Sequence, residues 1–339
     1  MRNLILGLLL IYGTWAHAAP PTVELELVTE PGLPLDGPQK WLGMMRDMGL
    51  SNVRIRSGEQ GDKTEVRKLG TEERPHYSVT GIITSGNVLK VPGATIRLND
   101  KSGLKNWIAK LQDGGEEGVR SKKVAYGLTA KQMLEVHDSL KGVVNFETKG
   151  QPTGDILKKI TDRLDIPINL DSSAKAALRS DDPVADEFNG LSYGVALAAV
   201  LRPLGFVFVP EKKLGEKLQL LVTDSKQVEK PWPIGWDSPT SAGQLAPDYF
   251  KQTTAEITDF VLAEALEAIQ KRVKLPMVFD YNSIARQRVD LQMKVSTKKK
   301  GKRSYAAVVD EILYNAKLTA EMRIDEAETP FLWITTLKQ

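Results

Sequence analysis

Two short stretches of the chain repeat the same pattern 109 positions apart. Residues 165–171 read DIPINLD and residues 274–280 read KLPMVFD, and each stretch directly follows a helical pattern. Pro167 and Pro276 occupy the same place in the two copies. A proline fixes φ and pushes the preceding residue toward extended geometry, so each one turns the end of a helix directly into a strand. The chain therefore carries a repeated helix-to-strand unit.

The repeat extends beyond these stretches. Asp171 and Asp280 keep the offset of 109, whereas Tyr193 and Tyr305 are 112 positions apart. The second copy thus contains three extra residues between its two helices, around the basic run KKKGKR at 298–303. An insertion confined to a loop is what internal duplication of one folded module predicts.

Hydrophobic periodicity predicts the elements of each copy. Apolar residues recur twice per copy at helical spacing, and short extended runs lie before, between and after the two helices. The predicted order in each copy is β-α-β-β-α-β-β. The predicted strands include VVNFET at 143–148, DEFNG at 186–190 and VDLQMKV at 289–295.

The two copies resemble the secretin and TonB short N-terminal domain, the small N-terminal module of secretins and TonB-dependent receptors. The matching phrases are TGDILKKITDRLDIPINLD followed by LSYGVALAAVLRPLGFVFV, and LAEALEAIQKRVKLPMVFD followed by RSYAAVVDEILYNAKLTAEMRI. The whole chain is also similar to exported bacterial proteins with this arrangement. The resemblance implies a non-enzymatic docking module that contacts envelope proteins, such as a secretin-type or outer-membrane assembly, or packs against copies of itself.

The predicted fold class is α+β, with an N-terminal α+β domain followed by two secretin-N-like modules. Thr129 and Gln132 have the spacing of a capping box, which predicts a helix that joins the first domain to the first module. A segment with four prolines and two tryptophans is typical of an irregular linker. The predicted boundaries are 1–18 for a signal peptide, 20–115 for the N-terminal domain, 116–142 for the connecting helix, 143–224 for the first module, 225–252 for the linker and 253–339 for the second module.

The N-terminus has the features of a secretory signal. Arg2 precedes an apolar run from Leu4 to Tyr12, and Ala16-His17-Ala18 has the small-x-small spacing of a signal peptidase site, which predicts cleavage after Ala18. The run is about half the roughly 20 residues that a membrane-spanning helix needs, and no comparable run follows. These features predict an exported protein, periplasmic or secreted, that is not an integral membrane protein.

Composition narrows the chemistry. The chain contains no cysteine, which excludes disulfide bonds and a thiolate nucleophile. The 46 basic and 43 acidic residues give a net charge of only +3, so no global attraction to nucleic acid is expected. His76 and His137 lack metal-ligand spacing, and no phosphate-binding glycine motif follows a strand. We therefore predict no catalytic residue, no metal and no cofactor.

The acidic run SDDPVADE contains carboxylates of the kind that bind calcium. The spacing of an EF-hand loop is absent, so the run is interpreted as a solvated loop. Its acidic residues are Asp181, Asp182, Asp186 and Glu187.

A basic loop is the first candidate for partner binding. The run STKKKGKR is typical either of contact with an anionic surface or of a solvated loop whose lysines protect a strand edge from pairing with other chains. The candidate residues are Lys298, Lys299, Lys300, Lys302 and Arg303.

Two tryptophans of the linker, Trp232 and Trp236, are the second candidate. An exposed indole on a linker is costly, so packing of these side chains onto one of the modules is favoured over a ligand-binding role.

Two functional hypotheses follow. The first is an exported, non-enzymatic docking or scaffold protein that offers strand edges and helix faces to envelope proteins. The alternative is a hydrolase or binding protein for envelope polysaccharide, in which the duplicated Asp171 and Asp280 supply paired carboxylates. Both aspartates also precede an apparent helix start, where a carboxylate caps the backbone.

Overall fold

The structure is a computed structural model that describes residues 21–71, 74–177, 181–298 and 301–337. The predicted signal peptide at 1–18 lies outside these residues. The chain divides into two compact units, with the division between Lys122 and Lys123. Both units mix helices with strands, so the chain has an α+β fold. Among the described residues, no helix combines the length and the apolar character needed to cross a bilayer.

The first unit is a mixed sheet with two helices. Leu25 and Leu27 on one face of the first strand share a core with Trp41 and Trp107 of the two helices. Its elements are β1 (Thr22–Thr29), α1 (Gly37–Asp47), β2 (Val53–Ser57), β3 (Glu65–Gly70), β4 (Pro75–Ile83), β5 (Val88–Val91), β6 (Ala94–Arg97) and α2 (Lys101–Arg120). The strand order is β2-β1-β4-β5-β6, with β3 paired to β4, and β1 is parallel to both neighbours.

Helix α2 is interrupted within the sequence DGGEEG at 113–118. Gly115 has a φ of 59° and a ψ of −150°, a non-helical conformation that glycine adopts without the steric cost of a side chain. A second helical stretch follows the glycine and ends at Arg120, past the domain boundary predicted at residue 115.

The second unit contains the rest of the described chain. Its helices are α3 (Ala130–Leu140), α4 (Thr153–Thr161), α5 (Ser172–Ala177), α6 (Tyr193–Leu201), α7 (Ala242–Leu245), α8 (Leu262–Val273), α9 (Tyr281–Gln287) and α10 (Tyr305–Asn315). Its strands are β7 (Ile168–Leu170), β8 (Phe206–Glu211), β9 (Gln219–Asp224), β10 (Gln252–Thr253), β11 (Phe260–Val261), β12 (Met277–Phe279), β13 (Lys294–Val295), β14 (Arg303–Ser304), β15 (Leu318–Ile324) and β16 (Pro330–Thr336).

The predicted capping box at the start of α3 is confirmed. The Thr129 hydroxyl accepts the Gln132 N–H, and the Gln132 side chain accepts the Thr129 N–H. A continuous connecting helix over 116–142 is not present, because α2 ends at Arg120 and α3 begins at Ala130.

The same sheet occurs twice in the second unit. We call residues 143–224 module 1 and residues 253–337 module 2. The strand order is β7-β9-β8 in module 1 and β12-β16-β15 in module 2. In each module the first pair is parallel and the second antiparallel. The pairs Ile168–Leu220 and Met277–Leu332 preserve the offsets of 109 and 112 seen in the sequence.

Three of the predicted strands are corrected by the structure. The segment 143–148 forms a single bridge, from Val143 to Ser192. The segment 186–190 forms no strand, and only Lys294–Val295 of 289–295 pairs. In module 1 the backbone of Val144 still bonds to Leu191 and Gly190, and the Glu187 carboxylate accepts the backbone N–H groups of Thr148 and Asn189.

Helix α6 is buried on all sides. All nine of its residues are buried, which is typical of a helix enclosed between two layers. Val278, Phe331 and Trp333 from the sheet of module 2 belong to the same hydrophobic cluster as α6 and the sheet of module 1. The opposite face of the module 2 sheet, with Leu332 and Ile334, belongs to a second cluster. The two modules therefore share a core.

Candidate functional site

The linker joins the outer edges of the two sheets. The Trp232 N–H donates to the Phe208 carbonyl of β8 at 2.9 Å. Trp236 and Ile324 of β15 exchange both backbone hydrogen bonds, also at 2.9 Å. The linker thus contacts both modules rather than one, and it fixes their edges relative to each other.

The Trp232 side chain forms part of a buried polar cluster. It is 2% exposed, stacks against Phe208, and its Nε1 donates to Glu326 Oε1 at 2.6 Å. Glu326 lies in the hairpin between β15 and β16, and its second oxygen accepts the Ser192 hydroxyl at the start of α6. An acid of module 2 therefore sits inside module 1. Its burial raises the pKa of Glu326 to about 7.

A second acid of the same hairpin supports this contact. Asp325 is 2% exposed and accepts the Ser192 N–H at 2.7 Å. Its other oxygen accepts the N–H groups of Ala327 and Thr329, which hold the hairpin in shape. Burial raises the pKa of Asp325 as well. We call Ser192, Trp232, Asp325 and Glu326 the carboxylate latch.

A third buried carboxylate belongs to module 1 and contacts module 2. Asp186 of module 1 accepts the Tyr281 hydroxyl at 2.6 Å and the Phe279 N–H at 3.0 Å. Phe279 lies on the outer strand β12 of the module 2 sheet, so the acid covers an edge amide that would otherwise be open to pairing. The interpretation of SDDPVADE as a solvated loop is wrong for Asp186, which is 7% exposed and whose burial raises its pKa to about 6.

A groove of about 570 Å³ lies where the modules meet beside Asp186 and Tyr281. Lys149 of module 1 and Glu267 of α8 form an ion pair across it at 2.9 Å. The charged groups on this groove are thus already engaged with each other, and they add to the contact between the modules. We call this whole contact, from the carboxylate latch to Asp186, the seam.

The structure separates the five residues of the predicted basic loop. Lys298 and Lys302 are exposed. Arg303 is not available to a partner, because its guanidinium forms an ion pair with Glu311 at 2.5 Å and its side chain is 11% exposed. Lys299 and Lys300 lie outside the described residues.

The other polar candidates have structural contacts. Asp171 accepts the Ala174 N–H, and Asp280 accepts the Ser283 N–H and the Thr335 hydroxyl, so each carboxylate caps the helix that follows it. His76 lies 3.4 Å from a carboxylate oxygen of Glu24. The described residues contain no group of three potential metal ligands.

Comparisons with protein-family models, with curated proteins and with solved structures found no match to this chain.

Gly194→Ala is expected to open the seam. A Cβ atom at position 194 would overlap the Glu326 carboxylate, so the acid would lose its hydrogen bonds or α6 would shift. Leaving a buried carboxylate unsatisfied costs about 3 kcal/mol. We expect a loss of this size in the free energy of unfolding, measured by chemical denaturation of the full chain.

Gly43→Ala provides the matched control. Gly43 lies within α1, and no atom would lie within 4 Å of its added Cβ. Alanine is a better helix former than glycine, so the free energy of unfolding of this variant is expected to rise by up to about 1 kcal/mol. Equal stability of the Gly194 variant and the natural chain would contradict the proposed role of the latch.

Glu326→Gln is expected to reduce the pH dependence of stability. The pKa of Glu326 rises from 4.5 to about 7 on folding, so the folded chain keeps a proton that the unfolded chain has released. Such a group stabilises the fold fully below pH 4.5 and loses this effect as pH rises through 7. Over this window the free energy of unfolding is expected to fall by about 3 kcal/mol, and the glutamine variant is expected to lose most of that slope.

Urea denaturation at a series of pH values tests this expectation. The pKa of Asp186 is also raised on folding, from 3.8 to about 6, so Asp186 lowers stability as pH rises between these values. Part of the pH dependence of stability therefore remains in the Glu326 variant. Glu267→Gln is the control. Lys271 and Lys149 lower the Glu267 pKa to about 2, so this acid changes stability mainly below its ordinary pKa of 4.5, which is under this window. An unchanged slope in the Glu326 variant would show that Glu326 does not titrate in the seam.

Proposed function

We propose that this chain is an exported, non-enzymatic docking or scaffold protein of a bacterial envelope, and that its two secretin-N-like modules act as one rigid unit. The main observation that supports the proposal is the buried contact between the modules, the seam. Glu326 and Asp325 of module 2 are buried in module 1, and Asp186 of module 1 is buried against module 2. Reciprocal contacts of this kind fix the position of one module on the other.

Rigidity favours docking for a thermodynamic reason. A partner that touches two mobile modules must order them on binding, and that ordering weakens the complex. The shared core around α6 removes this cost in advance. The partner that fits this proposal is another envelope protein, such as a component of a secretin-type or outer-membrane assembly. The predicted signal peptide supports export.

The polysaccharide alternative lacks a supporting observation. A hydrolase would need Asp171 and Asp280 to face a substrate, whereas both carboxylates accept hydrogen bonds from the first turn of the following helix. We therefore interpret the duplicated aspartates as a conserved feature of the two folded copies and not as a catalytic pair.

Asp171→Ala and Asp280→Ala are expected to cost about 1 kcal/mol each in the free energy of unfolding, because each removes a helix cap. The Asn variants serve as matched controls, since asparagine caps a helix nearly as well as aspartate while lacking the charge. Thermal and chemical denaturation measure both sets. Loss of a polysaccharide-cleaving activity in the Asn variants, with stability unchanged, would favour the hydrolase.

Affinity capture of the mature chain tests the docking function. The chain is gently cross-linked in its native envelope, and the bound proteins are identified by mass spectrometry. We expect one stoichiometric envelope protein, retained by the Gly43→Ala control and reduced by Gly194→Ala, because the latter loosens the unit without changing its outer surface. Recovery of only glycan or lipid, released by high salt, would contradict the proposal.

A further inference from the structure

Module 2 has an apolar groove of about 260 Å³ between the segment 255–260 and helix α8. Ile257 forms part of its floor, and Ile269 of α8 lies opposite. Phe260, at the edge of the groove, is 54% exposed. Apolar surface of this kind, concave and rimmed by polar groups, is typical of a binding site.

One end of the groove carries a positive charge. Arg272 is exposed on α8, and interactions with Thr253 and Arg272 lower the pKa of Tyr305. Arg272 and Tyr305 both line the groove. A guanidinium beside an apolar surface is well positioned to stack on an aromatic ring.

Module 1 shows what fits in the corresponding place. The bridge from Val143 to Ser192 corresponds to the pairing of Gln252 with Ser304, because both partners keep the offsets of the repeat. On the other side of the segment, Pro152 pairs with Pro183 as Val261 pairs with Lys294, at offsets of 109 for the first partners and 111 for the second. The residues between these two pairings therefore match one to one, at the offset of 109.

By this register Phe146 of module 1 corresponds to Ala255 of module 2. The Phe146 ring lies beneath the Arg163 guanidinium, 4.8 Å from ring centroid to Cζ, and Lys159 Nζ is 5.4 Å from the same centroid. Arg163 corresponds to Arg272. Module 2 thus keeps the arginine and replaces the ring with a methyl group, which leaves open the space that an aromatic side chain fills in module 1.

The basic loop is attached to the wall of this groove at both of its ends. Before the loop, the Thr297 N–H donates to the Ile257 carbonyl at 2.8 Å. After the loop, Arg303 of β14 pairs with Thr253 of β10. Lys298 and Lys302, which belong to the loop, are exposed beside this wall.

Charge at the groove favours an acidic partner. Among the described residues, Arg272 and Glu256 are the charged residues that line the groove. Lys298 and Lys302 add positive charge on the loop that is attached to its wall. An acidic segment is attracted to such a rim, and a basic one is repelled. The concave shape favours a single inserted side chain over a flat lipid surface.

We propose that this groove binds an aromatic side chain of a partner protein, flanked by acidic residues, which stacks on Arg272 as Phe146 stacks on Arg163 in module 1. This inference deepens the docking function and rests on it. It specifies the chemistry of the partner segment, an aromatic residue with acidic neighbours, and locates the contact on module 2.

Ala255→Phe is the decisive variant. It places in module 2 the ring that module 1 already has, so we expect the variant to fold with stability at least equal to that of the natural chain. The probe is an acetylated, amidated hexapeptide with one phenylalanine flanked by glutamates, titrated into the full chain by isothermal calorimetry. We expect Ala255→Phe to weaken its binding at least tenfold, because the groove is filled. We expect Arg272→Gln to weaken it about tenfold, equivalent to about 1.4 kcal/mol.

Two controls define the specificity. Leu214→Ser, at an exposed position in the hairpin between β8 and β9, is expected to bind the probe as the natural chain does. A peptide with lysines in place of the glutamates is expected to bind at least tenfold more weakly. The proposal is overturned if the natural chain does not bind the glutamate-flanked probe saturably, if Ala255→Phe binds it equally well, or if the two peptides bind alike.

The failure of this inference can be distinguished from failure of the docking function. If cross-linking captures the same envelope protein with Ala255→Phe as with the natural chain, docking stands and the groove is not its site. If the probe binds as expected but no envelope protein is captured, the groove is a binding site and the docking function is wrong.

Discussion

The Glu326 carboxylate at the start of α6 is the interaction on which the second unit depends. Taking a carboxylate out of water is costly unless its oxygens accept hydrogen bonds. Here the Ser192 hydroxyl and the Trp232 indole provide them, and the positive end of the α6 dipole favours the remaining charge. The contact leaves room only for a glycine at position 194. With the hairpin in this position, one face of the module 2 sheet joins the hydrophobic cluster that contains α6.

The same contact explains why the two modules associate as a specific pair. At the offset of 112, Asp325 and Glu326 of the module 2 hairpin correspond to Lys213 and Leu214 of module 1. A lysine is unfavourable at the N-terminus of a helix, where the helix dipole repels cations. The surface of α10 also differs from that of α6, since Tyr314 is 71% exposed. The contact around Ser192 therefore depends on acidic residues that only the second copy has at these positions.

Local signals in the sequence predicted the features that depend on neighbouring residues. The capping box at Thr129, the strands entered through the two prolines and the offsets of the repeat all appear in the structure. The prediction of a strand at 143–148 was wrong, because an edge strand needs a partner and only Val143 forms a bridge. Arg303 was a candidate for partner binding, but it is paired with Glu311 of the following helix. The sequence contains one indication of the contact between the modules. The segment YGVALAAVL has no polar face, which indicates a helix that is buried on all sides. No sequence pattern identifies Glu326 as the residue that contacts this helix.

Duplication supplied the chain with two versions of one surface, and the structure uses them differently. In module 1 the ring of Phe146 completes the stack beneath Arg163, so that part of the module is closed. In module 2 the corresponding Ala255 leaves the stack incomplete, although Arg272 is retained and lines the groove. An exposed arginine without its aromatic partner adds little to folding stability, so its guanidinium stays available to a ring that enters the groove. The seam fixes module 2 on module 1 before any partner arrives, so less entropy is lost when a partner binds.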